Sequence, residues 1–176
     1  FPIFDHRGKL WQKIRDAKER GIYLDIGHGA RGFAFRTLEQ SIEQGFMPDT
    51  ISTDVHIGNI DGPVYDMPTT MSKMLALGIS LPEVIEMSTR IPARALSQEK
   101  ELGSLTPGSV ADVVVSRIEN GSFTYLDVLH EQRTSNEKIV AETIVYSGNV
   151  YNGSHYRPVE MSHKHDAPPG FILTET

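Results

Sequence analysis

Helical segments alternate with short apolar segments through residues 1–101 of this chain. Residues 8–21, 35–45 and 66–78 carry apolar side chains at helical spacing, whereas residues 22–27 and 50–54 are predicted to be short strands next to turn residues. This alternation is typical of parallel βα units, in which each helix crosses back over a sheet. The pattern therefore predicts an α/β fold.

The residues that flank the helical segments predict where the helices begin and end. Gly21 and Gly45 follow the first two segments, at the position where glycine commonly ends a helix. Asp66 and Ser80 precede the next two segments and are expected to act as N-caps. The segment after Ser80 is expected to break at Pro92, because proline removes a backbone donor.

The pattern changes near Leu102. From there the chain is rich in β-branched residues and turns, and it contains no long helical segment. Residues 113–118, 123–129 and 138–153 are predicted to form strands joined by turns. We therefore expect a helix-rich unit over residues 1–101, β-strands over residues 102–156, and a polar, proline-containing C-terminal arm over residues 157–176.

The composition excludes several functional classes. With 17 Lys and Arg against 23 Asp and Glu, the net charge of −6 argues against nucleic acid or an anionic membrane surface as a partner. No apolar run is long enough to span a membrane, and the start does not resemble a signal peptide, so a cytoplasmic protein is expected. The chain has no cysteine, and any metal would need histidine and carboxylate ligands. The opening Phe1-Pro2 lacks an initiator methionine, as in a chain cut from a longer one.

Two polar residues follow the predicted parallel strands. His28 lies between Gly27 and Gly29 after the first strand, and Asp54 follows the second. Functional residues of parallel βα folds lie at the carboxyl ends of strands, and an imidazole and a carboxylate there could share a divalent metal. The alternative is that His28 hydrogen-bonds a nearby loop and Asp54 caps the next segment.

Three stretches carry a resemblance to a known family. These are LDIGHGARGFAF, PDTISTDVHIGNIDGPVYDMPTTMSKMLALG and GSLTPGSVADVVV, and together they resemble the C-terminal half of amidohydrolase-superfamily enzymes. The dihydroorotase-like branch, which includes deacetylases, is the most similar. The resemblance runs from about residue 4 to residue 153. It implies the C-terminal part of a (β/α)8 TIM-type barrel, strands six to eight, followed by strands of a small β-sandwich.

The resemblance also implies roles for individual residues. His28 corresponds to a metal-binding histidine that ends barrel strand six. Asp54 corresponds to the aspartate that ends strand eight, binds metal and acts as general base. The loop that lines the substrate pocket corresponds to His56, Asn59, Gly62 and Pro63. Only one crossover helix fits between His28 and Asp54, so strand seven is expected to be abbreviated within residues 31–35.

Several parts of the family's site are missing from this chain. The resemblance requires a His-x-His pair, a bridging lysine or glutamate and a further histidine, none of which occurs here in a suitable context. The only His-x-His, at 163–165, lies in the polar tail and is predicted to be solvated; His6, His130 and His155 are read as ordinary histidines. Ile91 stands where relatives often have asparagine. This departure weakens the prediction of substrate specificity but leaves the family resemblance unchanged.

The resemblance therefore implies part of a metal-dependent amidohydrolase that hydrolyses a small-molecule amide or ester. One or two divalent ions, expected to be zinc, would be held partly by ligands outside this chain, and the chain alone is expected to be inactive. We expect it to associate with a missing N-terminal half of the barrel and to form a homo-oligomer. Two alternatives stay open: a catalytically silent partner or scaffold, and a lyase or isomerase on the same fold.

Overall fold

The computed structural model of this protein describes residues 3–153, which form five helices and five strands in two sheets. A parallel pair, β1 with β2, lies in the first part, and an antiparallel sheet in the order β3-β4-β5 lies in the second. The predicted α/β alternation and the later change to β-structure are both present. In chain order the elements are α1 (Gln12–Glu19), β1 (Asp25–Gly27), α2 (Phe35–Glu43), β2 (Thr50–Ser52), α3 (Met67–Leu75), α4 (Leu81–Ser88), α5 (Arg90–Ala95), β3 (Val113–Leu126), β4 (Gln132–Tyr146) and β5 (Asn149–Asn152).

Strands β1 and β2 are direct neighbours joined by the single crossover helix α2. Their parallel register aligns Ile26 with Ile51. The backbone N–H of His28 donates to the carbonyl of Ser52 at 3.0 Å, so the pairing continues past the end of β1. The expectation of a strand within residues 31–35 is wrong. Residues 29–32 form turns, and since β1 already pairs with β2 on that side, no strand can lie between them.

The predicted helix ends are largely confirmed. Gly21 and Gly45 follow α1 and α2 with φ of 86° and 67°, a left-handed conformation that glycine adopts without steric cost. The carboxylate of Asp66 caps α3 by accepting the backbone N–H of Thr69 at 2.5 Å. Ser80 and Glu83 form a reciprocal capping box at the start of α4.

The break between α4 and α5 lies at Thr89 and not at the predicted Pro92. Thr89 leaves the helical region with φ of −132° and ψ of −82°. Pro92 then falls in the first turn of α5, where a backbone N–H has no partner inside the helix. Proline therefore begins the new helix here, and the chain bends three residues earlier than expected.

The two strands predicted over residues 113–118 and 123–129 are one continuous strand, β3. It pairs antiparallel with β4, and the register shifts between Asn120 and Phe123. Gly121 and Ser122, which resemble a turn in the sequence, are accommodated as an irregularity within the long hairpin. Strand β5 adds the third strand through a turn at Ser147 and Gly148.

The hairpin shares its core with the parallel unit. One cluster of buried side chains includes Ile26 and Ile51 from the parallel strands, Met74 from α3, and Tyr125 and Ile139 from the hairpin. The backbone N–H of Ile139 also donates to the Ser72 hydroxyl of α3 at 2.9 Å. Helix α3 is thereby held between the strand ends of β1 and β2 and the hairpin.

Three further expectations concern membrane-spanning segments, the C-terminal arm and the boundary near residue 102. No helix within residues 3–153 is long and apolar enough to cross a membrane. The predicted C-terminal arm over 157–176, with the 163–165 histidine pair, and His155 lie outside the described residues. The expected boundary near residue 102 stays a prediction.

Candidate active site

The carboxyl ends of β1 and β2 bring His28 and Asp54 to the same edge of the parallel pair. The backbone N–H of Gly29 donates to the carbonyl of Thr53 at 2.9 Å, which fixes the two strand ends side by side. A side chain at Gly29 would collide with the carboxylate of Asp54. The Asp54 carboxylate therefore lies over the residue that follows His28, and Gly29 leaves the space that it occupies.

Asp54 is exposed and has an unusual backbone conformation. Its φ of 46° is in the left-handed region, which costs a residue other than glycine about 1–2 kcal/mol. Strained backbone of this kind is concentrated at functional sites, where the surrounding structure holds it in place. The carboxylate is open to solvent at a strand end, and it can therefore hold a cation or accept a proton.

Asn59 holds the loop that follows Asp54. Its side chain is 1% exposed, and the amide nitrogen donates to the carbonyl of Asp54 at 3.0 Å. The amide oxygen accepts the backbone N–H of His56 at 2.8 Å. Both ends of the amide are thus used by backbone groups. Asn59 therefore helps to maintain the Asp54 conformation, and its predicted contact with substrate stays a prediction.

His56 is an exposed residue of the same loop. Its Nδ1 accepts the backbone N–H of Gly58 at 3.0 Å. A ring nitrogen that accepts a hydrogen bond carries no proton, so the neutral ring has its proton on Nε2. His56 can therefore offer an N–H donor to a molecule bound beside Asp54.

The turn containing Gly62 and Pro63 is attached to helix α3 by Lys73. The peptide bond between Gly62 and Pro63 is cis. The Nζ of Lys73 donates to the carbonyl oxygen of Pro63 at 2.6 Å. Gly62 and Pro63 are half-buried. The hydrogen bond from Lys73 therefore anchors the backbone of this predicted pocket wall to α3.

His28 is fully buried, and both of its ring nitrogens have partners. Nδ1 lies 3.0 Å from the carbonyl oxygen of Gly29, and Nε2 lies 2.6 Å from Nζ of Lys73. The ring of Phe33 packs against the imidazole with centroids 5.0 Å apart. Burial, and next the positive charge of Lys73, lower the pKa of His28 to about 4. The imidazole is therefore neutral at neutral pH.

Lys73 was missed by the sequence reasoning. Its side chain is 1% exposed, and burial lowers its pKa to about 7, against the opposing effect of the negative charges of Asp127 and Asp66. A signal was present in the sequence. Lys73 is the only charged residue in the stretch 67–82, and a single charge in an apolar segment often has a specific partner.

Asp127, also missed, is the nearby buried carboxylate. It begins the turn between β3 and β4 and is fully buried. One oxygen accepts the backbone N–H of Phe35 at 2.8 Å, at the first residue of α2. The other accepts the backbone N–H groups of Leu129 and Glu131 at 2.8 and 2.9 Å. Asp127 therefore joins the hairpin turn to the start of α2 and places a negative charge near the His28–Lys73 pair.

The described residues fit a metal ion only in part. Among residues 3–153, no group of three or more His, Cys, Asp or Glu side chains is arranged to hold one. The open carboxylate of Asp54 has the chemistry of one ligand. His28 does not fit in this arrangement, because neither ring nitrogen has a free lone pair directed at solvent.

Comparisons with known proteins agree with the family resemblance. The chain is 34% identical to a deacetylase from Enterococcus faecalis over 145 residues, which cover 80% of this chain and 39% of that protein. The crystal structure of an adenine deaminase superposes with a TM-score of 0.80 at 33% identity, covering 85% of this chain and 41% of that one. A dihydroorotase structure superposes with a TM-score of 0.71 at 30% identity, covering 81% and 38%.

The chain spans about two-fifths of the length of each of these three relatives. Residues 34–149, from the start of α2 to the end of the β3–β4 hairpin, match the model of the amidohydrolase family. The matched residues include Asp54 and its loop as well as Lys73 and Asp127. This chain belongs to the amidohydrolase family.

Proposed function

We propose that this chain is the C-terminal part of a metal-dependent hydrolase that cleaves a carbon–nitrogen bond, or a related ester, in a small molecule. The observation that carries the proposal is Asp54, an exposed carboxylate held in a left-handed conformation at a strand end. The relatives named deacetylase, adenine deaminase and dihydroorotase support it, because all three names belong to hydrolases of this bond type.

Asp54 would bind the metal and act as the general base. A divalent ion held there, which we propose to be zinc, would supply a water of lowered pKa. The Asp54 carboxylate takes a proton from the attacking water and delivers it to the departing nitrogen or oxygen. The side-chain amide of Asn59 keeps the backbone of Asp54 in place while this happens.

The loop after Asp54 would form one wall of the substrate site. The Nε2–H of His56 is a suitable donor to a substrate carbonyl oxygen, because its Nδ1 is occupied by Gly58. The half-buried turn at Gly62 and Pro63 would limit the size of the acyl or cyclic group beside it.

The remaining metal ligands would come from outside this chain. We propose that they lie in an N-terminal half of the barrel, and that the assembled protein is a cytoplasmic homo-oligomer. Two features support a covering partner. Within the described residues, β1 and β2 pair only with each other, which leaves two open edges. Ile22 and Tyr23, just before β1, are 49% and 41% exposed.

The test uses the full-length polypeptide that carries this chain. Metal content is measured by plasma mass spectrometry, and activity is measured on a panel of N-acetyl, O-acetyl and cyclic amide substrates. We expect bound zinc and release of acid from at least one substrate class, and no activity from residues 1–176 alone. Absence of both metal and turnover would favour a catalytically silent scaffold.

A lyase or isomerase is distinguished by the source of oxygen in the product. Hydrolysis in water enriched in ¹⁸O places the label in the released carboxyl group, whereas elimination or isomerisation does not. We expect incorporation of one labelled oxygen per turnover. A product without label would contradict the proposed reaction while leaving the family membership unchanged.

A further inference from the structure

We propose that His28 is not a metal ligand and that the buried His28–Lys73 pair is a positioning device that fixes the Gly62–Pro63 turn for substrate binding. The role of the turn in substrate binding rests on the proposed function. The tautomer and the hydrogen bonds of His28 do not depend on it. It replaces the metal-binding role that the family resemblance implies for His28.

The hydrogen bonds of the imidazole determine its tautomer. The carbonyl oxygen of Gly29 can only accept, so Nδ1 of His28 must carry the proton and donate. In the neutral ring Nε2 then has the lone pair, which accepts a hydrogen from Nζ of Lys73 at 2.6 Å. A metal ion needs that same lone pair. Lys73 therefore occupies the place that a metal ion bound to Nε2 of His28 would take.

The surroundings of the pair prevent an exchange of lysine for metal. His28 is fully buried and Lys73 is 1% exposed, so an ion has no open route to Nε2. The ring of Phe33 covers one side of the imidazole. A protonated Lys73 would repel a divalent cation, and moving it away would leave its amine and the Pro63 carbonyl without their hydrogen bond.

The strand order also separates His28 from the role implied by resemblance. The resemblance places the metal-binding histidine at the end of strand six and Asp54 at the end of strand eight. One further strand should therefore lie between their strands. Here β1 pairs directly with β2 through the register Ile26 to Ile51. His28 therefore follows β1, and β1 is the direct neighbour of β2, the strand that precedes Asp54.

The pair connects three separate parts of the site. Lys73 extends from α3 and donates both to His28, after β1, and to the carbonyl of Pro63 in the loop after β2. The negative charge of Asp127 stabilises the ammonium form of Lys73 within this buried region. Removing the amine would free the turn from α3 without touching Asp54, so the expected defect is in substrate binding.

The test compares three substitutions in the full-length protein. His28→Gln keeps an amide oxygen that can accept from Lys73, Lys73→Met keeps length but removes the donor, and Asp54→Ala removes the proposed ligand. We expect His28→Gln and Lys73→Met to keep the metal-to-protein ratio of the unmodified protein. Lys73→Met should raise KM by about tenfold with a much smaller change in kcat, the pattern of lost binding. Asp54→Ala should lose metal.

A matched pair of variants separates a positioning role from a ligand role. His28→Asn is too short to reach Lys73, so it should raise KM as Lys73→Met does, while His28→Gln should largely rescue KM. A ligand histidine predicts instead that both His28 variants lose metal equally, and that Lys73→Met keeps or gains it. That second outcome would overturn the proposal.

The nitrogen resonances of the histidine rings give a test that does not depend on the variants folding or on activity. In protein labelled with ¹⁵N at histidine, His28 should show a protonated Nδ1 and an unprotonated Nε2, with no change when metal is removed by a chelator and restored. A shift of its Nε2 resonance on metal addition would contradict the proposal. If the protein binds no metal and hydrolyses nothing, the proposed function fails, while the tautomer still decides the role of His28.

Discussion

At the scale of single residues, the side chain that most directly links structure to chemistry is Asp54. Its left-handed backbone, its exposure and its anchoring by Asn59 together present a carboxylate whose conformation is maintained at an energetic cost. The sequence indicated Asp54 from its place after an apolar strand. The conformation was not predictable from sequence, because it depends on an amide five residues further along the chain.

Changing Asp54 to Asn should separate metal binding from proton transfer. Asparagine tolerates the left-handed conformation and keeps one oxygen ligand, but it cannot take a proton. In the full-length protein we expect kcat to fall by about 10²-fold or more while metal content largely survives. Asp112→Asn, at an exposed aspartate outside the proposed site, is the matched control and should leave kcat nearly unchanged. Near-normal turnover of Asp54→Asn at neutral pH would exclude Asp54 as the base.

Burial of His28 should make stability depend on pH in the acid range. Its pKa is about 4 in the folded protein and 6.5 in the unfolded chain, so between these values the unfolded state binds more protons. Stability is therefore fully present above pH 6.5 and falls as the pH drops toward 4, by about 3 kcal/mol. Urea midpoints between pH 7 and 4 measure this. His28→Gln lacks the titrating ring and should show a flatter profile; equal profiles would contradict the assignment.

At the scale of elements, local signals located most helices but not the long hairpin. Asp66, Ser80 and the two glycines after α1 and α2 are local signals, since a cap or a left-handed residue acts within one turn. Gly121 and Ser122 resemble a turn in the sequence, but whether such residues end a strand depends on the partner strand. Here β4 continues past them, and the two strands pair on both sides of the register shift.

The junction between the hairpin and α2 depends on Asp127. In Asp127→Ala, the buried backbone N–H groups of Phe35, Leu129 and Glu131 lose their acceptor. We expect a loss of about 2–4 kcal/mol in the free energy of unfolding, measured by urea denaturation, with faster hydrogen exchange at these three amides. Asp112→Ala is the control, because it removes one exposed acceptor, that of the Ser147 N–H, and should cost under about 1 kcal/mol.

A result in which Asp127→Ala and Asp112→Ala destabilise the protein equally would contradict this role for Asp127. It would mean that the other contacts of the hairpin, those with α3 among them, are enough to hold it in place. The bidentate pair of Arg133 with Glu39, at 2.6 and 2.7 Å, also joins the hairpin to α2. Both side chains are about one-third exposed, so we expect that pair to contribute less than Asp127.

At the scale of the whole molecule, the site combines residues that no local pattern relates. His28 and Asp54 were predictable because consecutive parallel strands place their carboxyl ends at one edge. Lys73 lies 45 residues after His28 on a helix, and Asp127 lies in a turn of a different sheet. Their approach follows from packing of α3 and the hairpin around one core, which only the folded structure reveals. The positioning role that we propose for His28 depends on this packing.

The open parallel pair leads to a prediction about assembly. Within residues 3–153, β1 and β2 have no other strand beside them, and the apolar side chains of Ile22 and Tyr23 are substantially exposed next to β1. Unpaired strand edges and exposed apolar groups favour association. Residues 1–176 expressed alone should therefore self-associate, whereas co-expression with the N-terminal part of the full-length polypeptide should give a defined complex in light scattering.

Substitution at this edge tests whether the same surface is responsible. Ile22→Lys should reduce self-association of the isolated chain and weaken the complex with the N-terminal part, because it places a charge in the surface that the partner would cover. Val150→Lys is the control, since Val150 is 72% exposed on β5, away from the parallel pair in the sheet order. A stable monomer of residues 1–176 with a cooperative melt, or equal effects of the two variants, would show that the open edge of β1 needs no partner.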